Sequence, residues 1–226
     1  MDRVKIAIAA DGGTDFQVFS YIIEKYNFLG ANIEFTFLRR CPQGSELLND
    51  WWKARENELG WKNKVAEKFH RALISAYQEW TEKSEGISYR DCLIYHLDSE
   101  RLVKNVEEII KGWAREVIES LWRGVDLFYF RYGRICQGLF YLPKVIPLVL
   151  FPSTEILGAV CAGISNCRNK KPLSLKEELY GTSTLFQLEE EEFKQRLETI
   201  FLGEKKDFLT YIHYIPEIYR ILLVMK

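Results

Sequence analysis

Histidine is scarce in this chain, with three among 226 residues, and the five cysteines form neither CxxC pairs nor Cys/His sets at zinc-finger spacing. That excludes the common structural zinc modules and leaves Cys41, Cys92, Cys136, Cys161 and Cys167 as reduced, mostly buried thiols of a cytosolic protein. Excess charge is missing too. Lys and Arg total 31 against 32 Asp and Glu, a formal net charge of -1, so bulk attraction to a polyanion is excluded and any nucleic-acid contact must rest on a local basic patch and on metal ions. There is no apolar run long enough to cross a bilayer, because Gly138 to Phe151 is interrupted by Pro143, Lys144 and Pro147. The opening MDRVKIAIAA carries charges inside what would have to be an apolar signal segment, so no secretion signal is expected and the location is cytoplasmic. Internal repeats, low-complexity tracts and linkers are absent. A single domain over 1–226 is expected, with 47% hydrophobic residues and 14% aromatics to build its core.

What is present is a strand and helix alternation. Residues 4–10, VKIAIAA, are a continuous apolar run before a Gly turn, as in a strand buried on both faces of a parallel sheet. From Asp15 the apolar positions Phe16, Phe19, Tyr21, Ile22, Ile23 and Tyr26 recur at helical intervals, with Thr14 or Asp15 as N-cap. Residues 33–38, IEFTFL, alternate as a second strand and complete a βαβ unit. The Trp-rich stretch from Gly44 to Glu85 is helical in character, with Trp52, Leu59, Val65, Phe69, Leu73, Ala76 and Trp80 as buried candidates; it forms a helical insertion over about 45–88. Cys92 to Leu97 predicts a further strand. The helix after it, from Leu102 through Leu121, is expected to stop near Gly124. Asp126 to Tyr132, DLFYFRY, then predicts a strand, and Val145 to Phe151 another, followed by a helix over 156–162 and a helical C-terminal extension over about 173–226. The fold class is α/β, a mostly parallel sheet flanked by helices.

In such a sheet ligands bind outside the carboxyl ends of the strands, where helix N-termini and loops meet. Three predicted strand ends carry acids there: Asp11 with Asp15, Asp98 with Glu100, and Glu155. Residues 98 and 100 share one face if the strand persists, close enough to share a divalent cation. Oxygen ligands with few histidines suit Mg²⁺ or Mn²⁺ rather than zinc. The same residues also have a plainer reading, as turn glycines, caps and acidic first turns of the following helices. The sequence DGGT lacks the GK[ST] of a phosphate loop. His96 shares a strand face with Asp98 and is a candidate orienting residue, whereas His70 and His213 read as packing or surface residues. The Trp51, Trp52, Trp61 and Trp80 series reads as core or partner interface before base-stacking surface, and Glu189 to Glu192 as a solvated helix start.

Ala10-Asp11-Gly12-Gly13-Thr14-Asp15 resembles the EGxTD junction of TOPRIM domains, and His96-Leu97-Asp98-Ser99-Glu100 resembles their DxD motif. Pro147 to Ala162, PLVLFPSTEILGAVCA, is similar to the strand-Pro-x-x-Glu-helix segment of small stand-alone TOPRIM-like proteins related to the nuclease domain of OLD-family ATPases. The resemblance spans residues 1–162 in three islands. It implies a TOPRIM-like (Rossmann-like) sheet and a Mg²⁺- or Mn²⁺-dependent nuclease, a phosphodiester hydrolase of phage defence or DNA repair. Asp11 and Asp98 would be catalytic, and Asp11, Asp15, Asp98, Glu100 and Glu155 would hold the metal. Arg168, Lys170 and Lys171, in the basic loop SNCRNKKP, are the candidate contacts to DNA or RNA. This chain departs from the family in having Asp11 for the first-motif Glu and Glu100 for the second Asp of DxD. Those swaps motivate an alternative, a catalytically weakened module acting through a protein partner or as a homodimer. A third reading is a phosphohydrolase with Asp11 or Asp98 as nucleophile.

Overall fold

The computed structural model describes residues 3–13, 15, 16, 19, 20, 23, 32–44, 46, 47, 59–98, 114–135 and 142–150, without the side chains of 98, 114, 115, 118, 134, 135, 149 and 150. Strands β1 (Arg3–Ala9), β2 (Asn32–Leu38), β3 (Cys92–Asp98) and β4 (Lys144–Leu150) form one parallel sheet in the order β2-β1-β3-β4. Helices α1 (Trp61–Lys83) and α2 (Ala114–Ile135) connect its later strands in sequence. Each strand is a short apolar or β-branched run, which in a parallel sheet is buried by helices on the faces. The expected strands thus lie within a residue or so of the observed ones, with one exception.

Side chains alternate across the pleat. Ala7, Ala9, Leu38, Leu93, Tyr95, Leu97 and Val145 share a core with Val65, Phe69, Leu73 and Trp80 of α1 and Leu121, Val125 and Phe128 of α2. The alternate positions carry Ile6, Ile8, Ile94 and His96, all fully buried. There the helical residue Phe19 packs its ring 4.9 Å from that of His96, and Phe16 stacks on Phe37 at 4.8 Å. The sheet is therefore covered on both faces.

Helix α1 begins after Gly60, whose φ of 83° is a left-handed conformation that a glycine adopts without strain. It buries Val65, Phe69, Leu73, Ala76 and Trp80 as expected, so the Trp-rich segment contributes a main layer of the core. Leu59, expected inside, is fully exposed; it precedes the first turn of α1 and stands outside its apolar stripe. Trp52 lies outside the described residues.

The strand expected over Asp126 to Tyr132 is a correction: these residues are the second half of α2, which runs straight through Gly124. An added Cβ on Gly124 would lie 2.9 Å from the Ala66 carbonyl oxygen and 3.0 Å from the Phe69 ring. The glycine serves close helix packing, and a C-cap reading of it fails. Leu121, Val125, Phe128 and Tyr132 then form one helical stripe, with Phe128 stacked on Tyr132 at 5.4 Å and Tyr77 of α1 edge-on to both. Phe130, of the same aromatic run, is exposed.

At the amino end of the sheet, buried Asp91 ties three strands together. Its Oδ1 accepts the Lys5 N–H at 2.8 Å, its Oδ2 accepts the Ser88 N–H at 2.7 Å, and its carbonyl accepts the Lys144 N–H at 2.8 Å.

Candidate functional site

The strand order determines which chain ends become neighbours. From β1 the chain leaves to β2 on one side, and from β3 it leaves to β4 on the other, yet β1 and β3 are adjacent. Such a divergence opens a crevice at the carboxyl edge, where ligands of open α/β sheets bind. Ala9 pairs with Tyr95 across it. Asp11 lies two residues beyond that pair on one side, and Asp98, the last residue of β3, three beyond on the other. These two expected site residues thus flank the switch point. Asp98 is also in register with Leu150, so β4 ends beside it.

The Gly turn after β1 resolves into a helix start. Phe16 N–H donates to the Gly12 carbonyl at 3.3 Å, and Gly13 and Asp15 are already helical. The expected cap at Thr14 or Asp15 therefore shifts to Gly12, and Asp15 occupies the first helical turn. It is almost buried there, at 8% exposure, where a carboxylate gains from the positive end of the helix dipole.

Asp11 is half-buried, and its Oδ1 accepts the Gly44 N–H at 2.6 Å. Gly44 opens a second helical turn, in which Leu47 N–H donates to the Gln43 carbonyl at 3.1 Å. Asp11 thus acts as a remote cap on a helix that follows β2, a link from one strand end to another that local sequence does not display.

The segment between β2 and Gly44 is held from several sides. Glu79, at 3% exposure, accepts the N–H groups of Arg39 at 2.9 Å and Arg40 at 2.7 Å, and pairs with Lys83 Nζ at 2.5 Å. Burial pushes the Glu79 carboxyl up, but its bonds from Lys83 and the two backbone amides outweigh that and leave it below the usual glutamate value. The buried Tyr95 hydroxyl donates to the Pro42 carbonyl, and burial raises its pKa. Arg39 and Arg40 are exposed at this same edge, where the Arg39 guanidinium lies 4.6 Å over the Phe37 ring and Arg40 pairs with Glu82. Neither stands out in the sequence, because two arginines at a strand end look like any solvated turn.

Soft metal donors are poorly presented. Burial pushes the Cys41 thiol up to about 11 and the Cys92 thiol up to about 12, so both remain protonated at neutral pH. Both are free thiols, as expected from sequence. His96 is fully buried, and among the described residues neither ring nitrogen has a hydrogen-bond partner. It therefore orients no described carboxylate by a hydrogen bond. Asp11 and the backbone of Asp98 stand at this edge, and carboxylate residues of this kind suit Mg²⁺ or Mn²⁺ better than zinc. Among the described residues no three His, Cys, Asp or Glu side chains form a metal-holding group. Glu100, Glu155, Arg168, Lys170 and Lys171 lie outside the described residues.

Fold and edge together define an α/β protein with a four-stranded parallel sheet and carboxylate residues on both sides of its switch point. No family model, curated protein or solved structure matches the chain. Among the described residues no helix is long and apolar enough to cross a membrane.

Proposed function

We propose that the chain is a TOPRIM-like phosphodiesterase, a Mg²⁺- or Mn²⁺-dependent nuclease acting on DNA or RNA in defence or repair. The observation that carries this reading is the position of Asp11 and Asp98 at the ends of adjacent strands whose connections diverge. Asp11, Asp15, Asp98, Glu100 and Glu155 would hold the metal. Bound there, the ions would lower the pKa of a water and neutralise the leaving oxygen of a phosphodiester. The chain's own part is to keep the carboxylates fixed. Asp11 is suited to this because one oxygen already accepts a backbone N–H, which holds the side chain in place. Arg168, Lys170 and Lys171 would contact the nucleic-acid backbone, with Arg39 and Arg40 as additional cations at the sheet edge.

The test is direct. The full chain is incubated with Mg²⁺ or Mn²⁺ and plasmid DNA, linear duplex, single-stranded DNA and RNA. Metal-dependent nicking or cleavage that disappears in Asp98→Ala supports the reading. A clean preparation that cuts none of these substrates with either ion removes it.

One observation favours the weakened-module alternative: the Asp11 carboxylate has a structural task as the cap on the Gly44 turn. On that reading Asp11→Asn, which retains an acceptor oxygen, would leave the protein's metal affinity unchanged. Mn²⁺ binding that vanishes in Asp11→Asn counts against it.

A further inference from the structure

Gly44 touches both strand ends of the candidate site. Its N–H donates to Asp11 Oδ1 at 2.6 Å on the β1 side. On the β3 side a Cβ at residue 44 would fall 2.3 Å from the His96 carbonyl oxygen and 2.7 Å from the Leu97 Cα, which is closer than real Cβ atoms come. Those are backbone atoms of a paired strand, so they cannot swing aside as a flexible side chain would. The requirement for glycine here is spatial, since no positive φ is found at this residue. The Tyr95 hydroxyl holds the Pro42 carbonyl and Glu79 holds the Arg39 and Arg40 amides, so the backbone reaching Gly44 is anchored on both sheet and helix.

We infer that Gly44 is a positioning residue: its backbone is wedged between Asp11 and the segment of β3 that leads into Asp98, and it sets where the Asp11 carboxylate stands relative to the end of that strand. This rests on the metal-site reading above and adds a residue to it that carries no functional group. The N–H holds one carboxylate oxygen and fixes the side chain's rotamer. The missing Cβ lets the two strand ends be bridged by a single residue. Larger residues would push the turn away from β3 and carry the Asp11 partner with it. A ligand-orienting group of this kind typically controls metal affinity without contacting the metal.

The experiment uses the full chain and Mn²⁺ alone, followed by electron paramagnetic resonance titration, with circular dichroism to verify folding. Two changes separate donor from space. Glycolic acid in place of Gly44 removes the N–H and adds no atom, while Gly44→Ala keeps the N–H and adds the Cβ. Each is expected to weaken Mn²⁺ binding by about tenfold or more, whereas Gln43→Ala, a change to the neighbouring exposed side chain, binds as the unmodified chain does. If Gly44→Ala does not fold, the ester alone decides. A folded ester variant that binds Mn²⁺ as tightly as the unmodified chain overturns the positioning role and leaves the metal reading standing. An unmodified chain that binds no Mn²⁺ overturns both, and is recognised without any variant.

Discussion

Gly124 of α2 lies so close to Ala66 of α1 that a Cβ would stand 2.9 Å from the Ala66 carbonyl oxygen. The contact brings two helices together on one face of the sheet and turns a residue that resembles a stop signal into a packing device. Gly124→Leu is expected to lower unfolding stability by about 1 to 3 kcal/mol, the usual range for overpacking a filled core. Urea denaturation measures it as a lower midpoint at unchanged slope. A midpoint equal to that of the unmodified chain would mean that the helices do not meet at this glycine.

Glu79 makes the post-β2 segment sensitive to acid. Its bonds to Lys83 and to the Arg39 and Arg40 amides outweigh its burial and lower its folded pKa, so its contribution is complete above the unfolded glutamate value and is lost as pH falls through the folded one. Glu79→Gln should cost about 1 to 3 kcal/mol near neutral pH, because an amide nitrogen would face donors in a buried site. The gap between the two proteins should narrow as the pH drops below about 4. A gap that does not change between neutral and acid solution would show that the charge of Glu79 contributes nothing.

His70 provides a second, oppositely caused pH response. It is 6% exposed on α1, neither ring nitrogen has a hydrogen-bond partner among the described residues, and burial, aided by Arg131 of α2 and Arg71, pushes its pKa down against the opposing pull of Glu67. The folded protein therefore binds this proton less readily than the unfolded chain. Stability is complete above the unfolded value of about 6.5 and declines as pH falls from there toward the folded value. His70→Phe should flatten that part of the stability profile relative to the unmodified chain. Parallel profiles for the two proteins, measured by thermal melting across this range, would refute it.

Much of the secondary structure is legible in local sequence. Runs such as VKIAIAA and CLIYHL are apolar, short and bounded by turn residues, and β1 and β3 fall on them. The α1 stripe from Val65 to Trp80 follows the 3.6-residue period directly. DLFYFRY misleads because a short run with four aromatics in seven positions has no clear phase of its own. Its helical phase emerges only with Leu121 and Val125, on the far side of a glycine that reads as an end.

The site divides along the same line. Acids after β1 and at the end of β3 are visible in the sequence, because strand ends and turn residues are local properties of the chain. That β1 and β3 become neighbours with diverging connections is a matter of strand pairing between residues more than eighty positions apart, as in Ile6 with Cys92. Gly44 is the clearest case. Nothing in CPQGSE marks it, since its two contacts are with Asp11, thirty-three residues earlier, and with the backbone at His96 and Leu97. The sequence by itself determined the strands, most of the helical periodicity and the acids at the strand ends, all through interactions within a few residues. Tertiary structure alone decided which strand ends became neighbours and which glycine packs between Asp11 and the backbone of β3, because close packing selects partners by shape and distance across the whole fold.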